Sequence, residues 1–94
     1  MNANATLRAA ALKEFQTIPG VGRSIAEDFW KLGLRKVADL KRRNPQKLYD
    51  RLCELQAAKV DRCMLYVMRC AVYFVSTEKP KPELLKWWNW KDRE

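Results

Sequence analysis

The sequence predicts an all-α fold of about five helices within a single domain spanning residues 1–94. Apolar residues recur at helical spacing in successive segments, and glycine or proline separates these segments. The most apolar segment is also too long for an ordinary strand. Hydrophobic residues form 48% of the chain and charged residues 32%, which is typical of a packed domain and not of a disordered one.

The first two helices flank a proline–glycine turn. The first is predicted over Thr6 to Phe15, and Pro19 with Gly20 ends it. The second follows the turn and ends at Gly33, a natural left-handed terminus. Ser24, with Glu27 three residues later, predicts a capping box at its start. The expected apolar faces are Leu7, Ala11, Leu12 and Phe15 in the first helix, and Ile25, Phe29 and Leu32 in the second.

A short turn and a third helix come next. The spacing of apolar residues from Leu34 to Leu40 indicates one or two tight helical turns. Asn44 before Pro45 predicts an N-cap followed by proline at the first helical position. The apolar face of the third helix is expected to hold Leu48, Leu52 and Leu55, widened by Tyr49 and Cys53.

The fourth helix is predicted to be the central one. From Cys63 to Val75, 12 of 13 residues are apolar, Arg69 being the exception. No glycine or proline interrupts Lys59 to Thr77, and this length favours a helix over a strand. The apolar run would reach only about 20 Å, short of the roughly 30 Å core of a bilayer. We expect Arg69 to pair with a carboxylate.

The chain closes on a tryptophan-rich segment. Residues 79–82 form a stiff extended connector, and a last short helix is predicted over residues 83–89. This segment, with its margin, carries Trp87, Trp88 and Trp90. Such tryptophans either fold back over the core or offer a surface that stacks on unpaired bases or docks a partner.

Composition narrows the function. The net charge is +8 and the chain has no histidine, which excludes imidazole catalysis and metal sites that need imidazole ligands. The three cysteines show no C-x-x-C spacing, so neither a disulfide framework nor a zinc site is predicted. No signal peptide or membrane segment is recognisable. We therefore expect a cytoplasmic, non-catalytic protein without a metal or other cofactor.

The positive charge is concentrated in one segment. Residues 31–51 carry eight basic side chains, interrupted only by Asp39 and Asp50. Most charge runs are simply solvated faces, and this is the alternative here. The imbalance of sign favours a surface that faces phosphates, with Arg42, Arg43 and Lys47 as the leading contacts.

The most informative stretch is Ile18-Pro19-Gly20-Val21-Gly22, which we call the glycine hairpin. Gly20 and Gly22 can adopt positive φ and leave backbone N–H groups unshielded. The helix that follows adds the positive end of its dipole. Ile18 and Val21 are expected to pack inward. The alternative is that proline and glycine merely terminate a helix.

This turn, with Ala26 soon after it, resembles that of the helix-hairpin-helix family. The order of segments from about Phe15 to Arg93 resembles the small bacterial pathogenicity-locus proteins, also called mitomycin resistance proteins. The resemblance implies a compact, SAM-like domain of paired helix-hairpin-helix units, with a degenerate second hairpin near residues 56–58. The function it implies is sequence-independent DNA binding.

The resemblance also suggests which residues touch DNA. Backbone amides of Gly20, Val21 and Gly22 would contact phosphates, with Arg23 assisting. Relatives often carry a basic residue where this chain has Ser24, whose hydroxyl is available only if it does not cap the helix. Some relatives hold a monovalent cation on the hairpin carbonyls, which is left open here.

The sequence therefore indicates two alternative functions. The first is a non-catalytic protein that grips DNA phosphates through the glycine hairpin and the basic face. The second is an adaptor that docks an acidic protein through the basic face or the tryptophan-rich end.

Overall fold

The structure is a computed structural model that describes residues 3–92, with side chains from Ala5 onward. It contains four α-helices: α1 (Ala3–Phe15), α2 (Arg23–Lys31), α3 (Pro45–Gln56) and α4 (Cys63–Ser76). Three short 3₁₀ helices span Val37–Leu40, Pro82–Leu85 and Trp87–Trp90. No strand occurs in the described part of the chain, so the all-α class is confirmed.

The tryptophan-rich segment differs from its prediction. A single helix over residues 83–89 is wrong, because two 3₁₀ helices stand there instead. Lys86 between them is extended, with φ −96° and ψ 112°, and so interrupts the helical path. Bulky aromatic residues lose side-chain freedom in a helix, which weakens the propensity that a continuous helix would need.

Helices pack in sequential pairs, α1 on α2 and α3 on α4. As predicted, α4 is central: it also contacts the 3₁₀ helix Val37–Leu40 and both C-terminal 3₁₀ helices. The hydrophobic core therefore collects around α4. Its fully buried large side chains are Phe15, Ile18, Phe29, Leu40, Leu52, Leu65, Met68 and Cys70.

Two residues assigned to apolar faces are exposed. Leu7 is 61% exposed, whereas Ala11, Leu12 and Phe15 further along α1 are buried. The 13-residue α1 is longer than the 9-residue α2 on which it packs. Leu55 is 44% exposed in the last turn of α3, at the edge of a face centred on Leu48, Tyr49 and Leu52. Apolar spacing identified both helices but overestimated the length of their covered faces.

Helix starts were predicted with mixed success. Asn44 caps α3 as expected, its Oδ1 accepting from the backbone N of Gln46 at 2.9 Å. The capping box at Ser24 is wrong, because α2 begins at Arg23 and its N-cap is Gly22, which has no side chain to cap with. Helix α4 begins at Cys63, where Asp61 Oδ1 accepts the Cys63 backbone N–H at 2.8 Å.

The sequence also predicts no membrane-spanning segment. Within residues 3–92, no helix combines the length and the apolar character needed to cross a bilayer.

Candidate nucleic-acid interface

The glycine hairpin is anchored by its apolar residues. Ile18 and Val21 are buried, as predicted, and Gly20 adopts φ +83°, a conformation that favours glycine. The Val21 backbone N–H donates to the Ile18 carbonyl at 3.1 Å. This amide is therefore occupied within the turn, and its contact with phosphate stays a prediction.

Gly22 serves a different purpose from Gly20. Its φ of −92° is open to any residue, so the predicted positive φ is wrong here. A Cβ at Gly22 would meet no atom within 4 Å. The fold itself therefore does not require glycine at this position.

The start of α2 leaves donors open. The first intrahelical bond runs from the Ala26 N–H to the Gly22 carbonyl at 3.0 Å. The amides of Arg23, Ser24 and Ile25 precede it and have no helical acceptor. Gly22 supplies no capping oxygen, so no N-cap side chain accepts from these donors.

The Arg23 and Ser24 side chains are both accessible. The side chain of Arg23 is 74% exposed, and its Nε lies 3.3 Å from Glu27 Oε1. Glu27 also lies 3.8 Å from Arg8, so its charge is shared between two guanidinium groups. Ser24 is exposed and is not the N-cap, so its hydroxyl is not engaged there. Both side chains can therefore reach a ligand at the hairpin.

A second feature lies at the other end of α2. Arg42, Arg43 and Lys47, which were predicted as the leading phosphate contacts, line an open cleft of about 350 Å³. Arg51, one turn after Lys47, completes its basic wall and was not singled out from the sequence. The remaining lining residues are Leu32, Asn44 and Leu48, so no acidic residue of the described chain, residues 3–92, lines this basic cleft.

Two other basic residues of the segment, Lys31 and Arg35, contact groups outside the cleft. The Arg35 guanidinium lies 3.6 Å from the centre of the Trp30 ring, and Lys31 is 3.9 Å from Asp28. Asp39 accepts the backbone N–H of Arg35 at 2.9 Å, the largest of the contacts that lower the pKa of this carboxyl. Asp50 accepts from Gln46 Nε2 at 2.9 Å. Neither acid is placed in the cleft.

The backbone at the cleft is unusual. Arg42 has φ +59°, uncommon for a residue with a side chain. Its N–H donates to Ser76 Oγ at the end of α4, at 2.8 Å. This bond fixes the turn that directs residues 42 and 43 and connects the cleft to the central helix.

The three tryptophans of the C-terminal segment differ in their exposure to solvent. Trp87 is half-buried, and its Cδ1 would lie 3.3 Å from a Cβ built on Gly20, so it packs directly on the glycine hairpin. Trp90 is half-buried against Tyr73, with ring centres 5.4 Å apart. Trp88 is 49% exposed. Trp87 and Trp90 therefore pack against the protein, whereas Trp88 is exposed enough to contact a ligand or a partner.

Asp92 attaches this segment to α4. Its carboxylate pairs with Arg62 and, at 2.9 Å, with Arg69 Nη2, and the Arg69 Nη1 donates to the Trp90 carbonyl at 2.8 Å. The prediction that Arg69 meets a carboxylate is confirmed. Hydrogen bonds from Arg62 and then from Arg69 lower the pKa of Asp92 to about 2.

Asp92→Asn is expected to loosen residues 82–92 without unfolding the helices. Because the pKa of Asp92 is lower in the folded state, its contribution is complete above its ordinary pKa of 3.8 and is lost as pH falls towards about 2. Protection factors of the segment's amides, which correct hydrogen exchange for its intrinsic pH dependence, should fall in the variant at neutral pH and in the wild type at the acid end. Glu83→Gln, on the same segment, is the control. Unchanged exchange in Asp92→Asn would contradict this attachment.

The described residues were also compared with the requirements of a metal site and of a reactive thiol. Across residues 3–92, no group of three or more His, Cys, Asp or Glu side chains is arranged to hold a metal ion. The three cysteines are free; Cys70 is buried, and this burial raises the pKa of its thiol, whereas Cys63 is exposed. The monovalent cation considered for the hairpin carbonyls stays a prediction.

Comparisons with known proteins agree with the resemblance seen in the sequence. A family model described as Cdd1: Pathogenicity locus matches residues 8–94. The chain is similar to mitomycin resistance protein McrB of Streptomyces lavendulae, with 30% identity over 77 residues, covering 82% of this chain and 70% of that protein. No solved structure matches the chain significantly.

Proposed function

The chain belongs to the family described as Pathogenicity locus, and from the hairpin and cleft together we propose that it binds DNA without sequence preference and without catalysis. In this proposal, α1 with α2 and α3 with α4 form paired helix-hairpin-helix units. The first unit supplies backbone amides and the second supplies the basic cleft. Contacts of this kind need only N–H donors and cations, with no acid, base or metal.

One observation carries the proposal: Gly22 occupies the N-cap of α2 although the fold does not require glycine there. Ser, Asp or Asn would cap the helix better. Glycine instead leaves the first amides open and removes any Cβ that would keep a ligand away. Helix N-termini with such open donors bind phosphate through their N–H groups and dipole.

The basic cleft lies at the opposite end of α2 from the open amides. Leu32, on its wall, lies ten residues after Gly22, or about 15 Å along α2. Duplex DNA carries a phosphate every 3.4 Å of rise on each strand, so about four steps span this distance. Two anchoring points at this separation favour an extended polyanion over a single free phosphate. None of these contacts reads a base edge, so the binding they support is independent of sequence.

The test is fluorescence anisotropy with labelled DNA across salt concentrations. Gly22→Ser is expected to raise stability by about a few tenths of a kcal/mol, because serine caps the helix, and to weaken DNA binding. Gly22→Asp combined with Arg23→Glu should abolish binding while circular dichroism stays helical. Opposite changes in stability and affinity distinguish a binding position from a structural one.

The matched control places the same charges in the turn between α3 and α4, which lacks glycine. Ala58→Asp with Lys59→Glu changes the net charge equally at exposed positions. This variant should retain most of its DNA binding. A wild type that stays free at low salt, or a folded hairpin variant that binds as tightly, would refute the proposal. Binding of an acidic polypeptide in place of DNA would then favour the adaptor.

A further inference from the structure

Trp88 projects from the surface next to the glycine hairpin. Trp87 packs on Gly20, and the ring centres of Trp87 and Trp88 are 5.8 Å apart at an angle of 87°. Trp88 is nevertheless 49% exposed. A large aromatic ring is therefore presented to solvent and is separated from the glycine hairpin by the Trp87 ring alone.

The backbone that carries Trp88 is fixed on both sides. Trp90 Nε1 donates to the Leu84 carbonyl at 2.8 Å, and Asn89 Nδ2 donates to the Glu83 carbonyl at 2.7 Å. Trp87 reaches the hydrophobic core. The exposed ring thus stands on an ordered support, which lowers the entropy lost when a ligand stacks on it.

The charge around Trp88 favours an anionic ligand. Lys86 and Lys91 flank the 3₁₀ helix Trp87–Trp90, and both are exposed. Neither pairs with a carboxylate among residues 3–92. Asp92, the nearest acid in sequence, is held by Arg62 and Arg69. An exposed ring stands between two lysines that pair with no carboxylate of residues 3–92, and Trp87 connects it to the glycine hairpin, the proposed phosphate site. Ring and positive charge together match the base and the phosphate of a nucleotide.

We propose that Trp88 stacks on an unpaired base while the glycine hairpin holds an adjacent phosphate, so that the protein prefers DNA in which a single strand meets a duplex. This inference rests on the proposed DNA-binding function. Bases inside an intact duplex already stack on one another and leave no face for Trp88. An unpaired base offers its face whatever its identity, which keeps the recognition independent of sequence.

The test compares a blunt duplex with the same duplex carrying a single-stranded overhang. Trp88→Ala is expected to weaken binding to the overhang DNA about 5- to 150-fold, the range that aromatic–base stacking contributes, and to leave affinity for the blunt duplex unchanged. Trp88→Phe should restore most of the loss. A fluorescent base analogue in the overhang, quenched by stacking, should be quenched by the wild type and by Trp88→Phe but not by Trp88→Ala.

Controls separate the possible failures. Leu55→Ala removes another exposed apolar side chain, away from the hairpin, and should change neither affinity. Equal losses on both DNAs in Trp88→Ala, or equal wild-type affinity for both, would overturn the stacking role while leaving the proposed function intact. A wild type that binds neither DNA would refute both. Circular dichroism should show that Trp88→Ala keeps its helices, since this side chain is half exposed.

Discussion

Replacing Arg42, Arg43 and Lys47 together by glutamine is expected to reduce the salt dependence of DNA binding by about 2.7 units of log–log slope. Each neutralised phosphate contributes about 0.9 to that slope on duplex DNA. The same relation predicts about 500-fold weaker binding at about 0.1 M salt if all three side chains touch phosphate. Anisotropy titrations over a range of salt concentrations measure both quantities.

The control for this variant removes three positive charges from outside the cleft. Lys13, Lys59 and Lys79 are exposed and do not line it. Their replacement by glutamine should lower the slope far less, because screened charges away from the phosphates release few counterions. Glutamine at position 42 keeps the N–H that donates to Ser76. Equal slopes for the two triple variants would mean that the basic residues of the cleft are solvated and do not contact phosphates.

Helical periodicity predicted the elements whose packing is local. All four α-helices, the Asn44 cap and the central position of α4 follow from spacing, capping chemistry and the apolar run at residues 63–75. The C-terminal helix was predicted wrongly because local spacing does not show that Lys86 is extended, nor that the two 3₁₀ helices on either side of it pack against α4. That packing depends on contacts between residues far apart in sequence.

The candidate site shows the same division. Glycines, proline and the following helix marked the hairpin, and the density of charge marked Arg42, Arg43 and Lys47. Nothing local could assign the Val21 amide to the Ile18 carbonyl or bring Trp87 onto Gly20. The sequence pattern suggested that Gly22 is glycine because the turn needs a positive φ. The structure shows instead an ordinary φ and space for a side chain at this position.

Phe29→Ala is expected to lower the free energy of unfolding by about 3–5 kcal/mol, the usual cost of truncating a buried phenylalanine. Phe29 is 0% exposed and meets Phe15 edge-on, with ring centres 5.5 Å apart. Whole domains are stable by about 5–15 kcal/mol, so this single change removes a large share. Urea denaturation followed by circular dichroism measures the loss.

Leu7→Ala is the control for Phe29→Ala. Sequence spacing assigns Leu7 and Phe29 alike to apolar helix faces, yet Leu7 is 61% exposed. Its truncation should cost no more than about 0.5 kcal/mol, as is usual for surface changes. Helix α2 carries the hairpin amides at one end and the cleft residue Leu32 at the other, so Phe29→Ala should weaken DNA binding in proportion to the fraction unfolded. Similar losses of stability in both variants would mean that α1 is covered along its whole length.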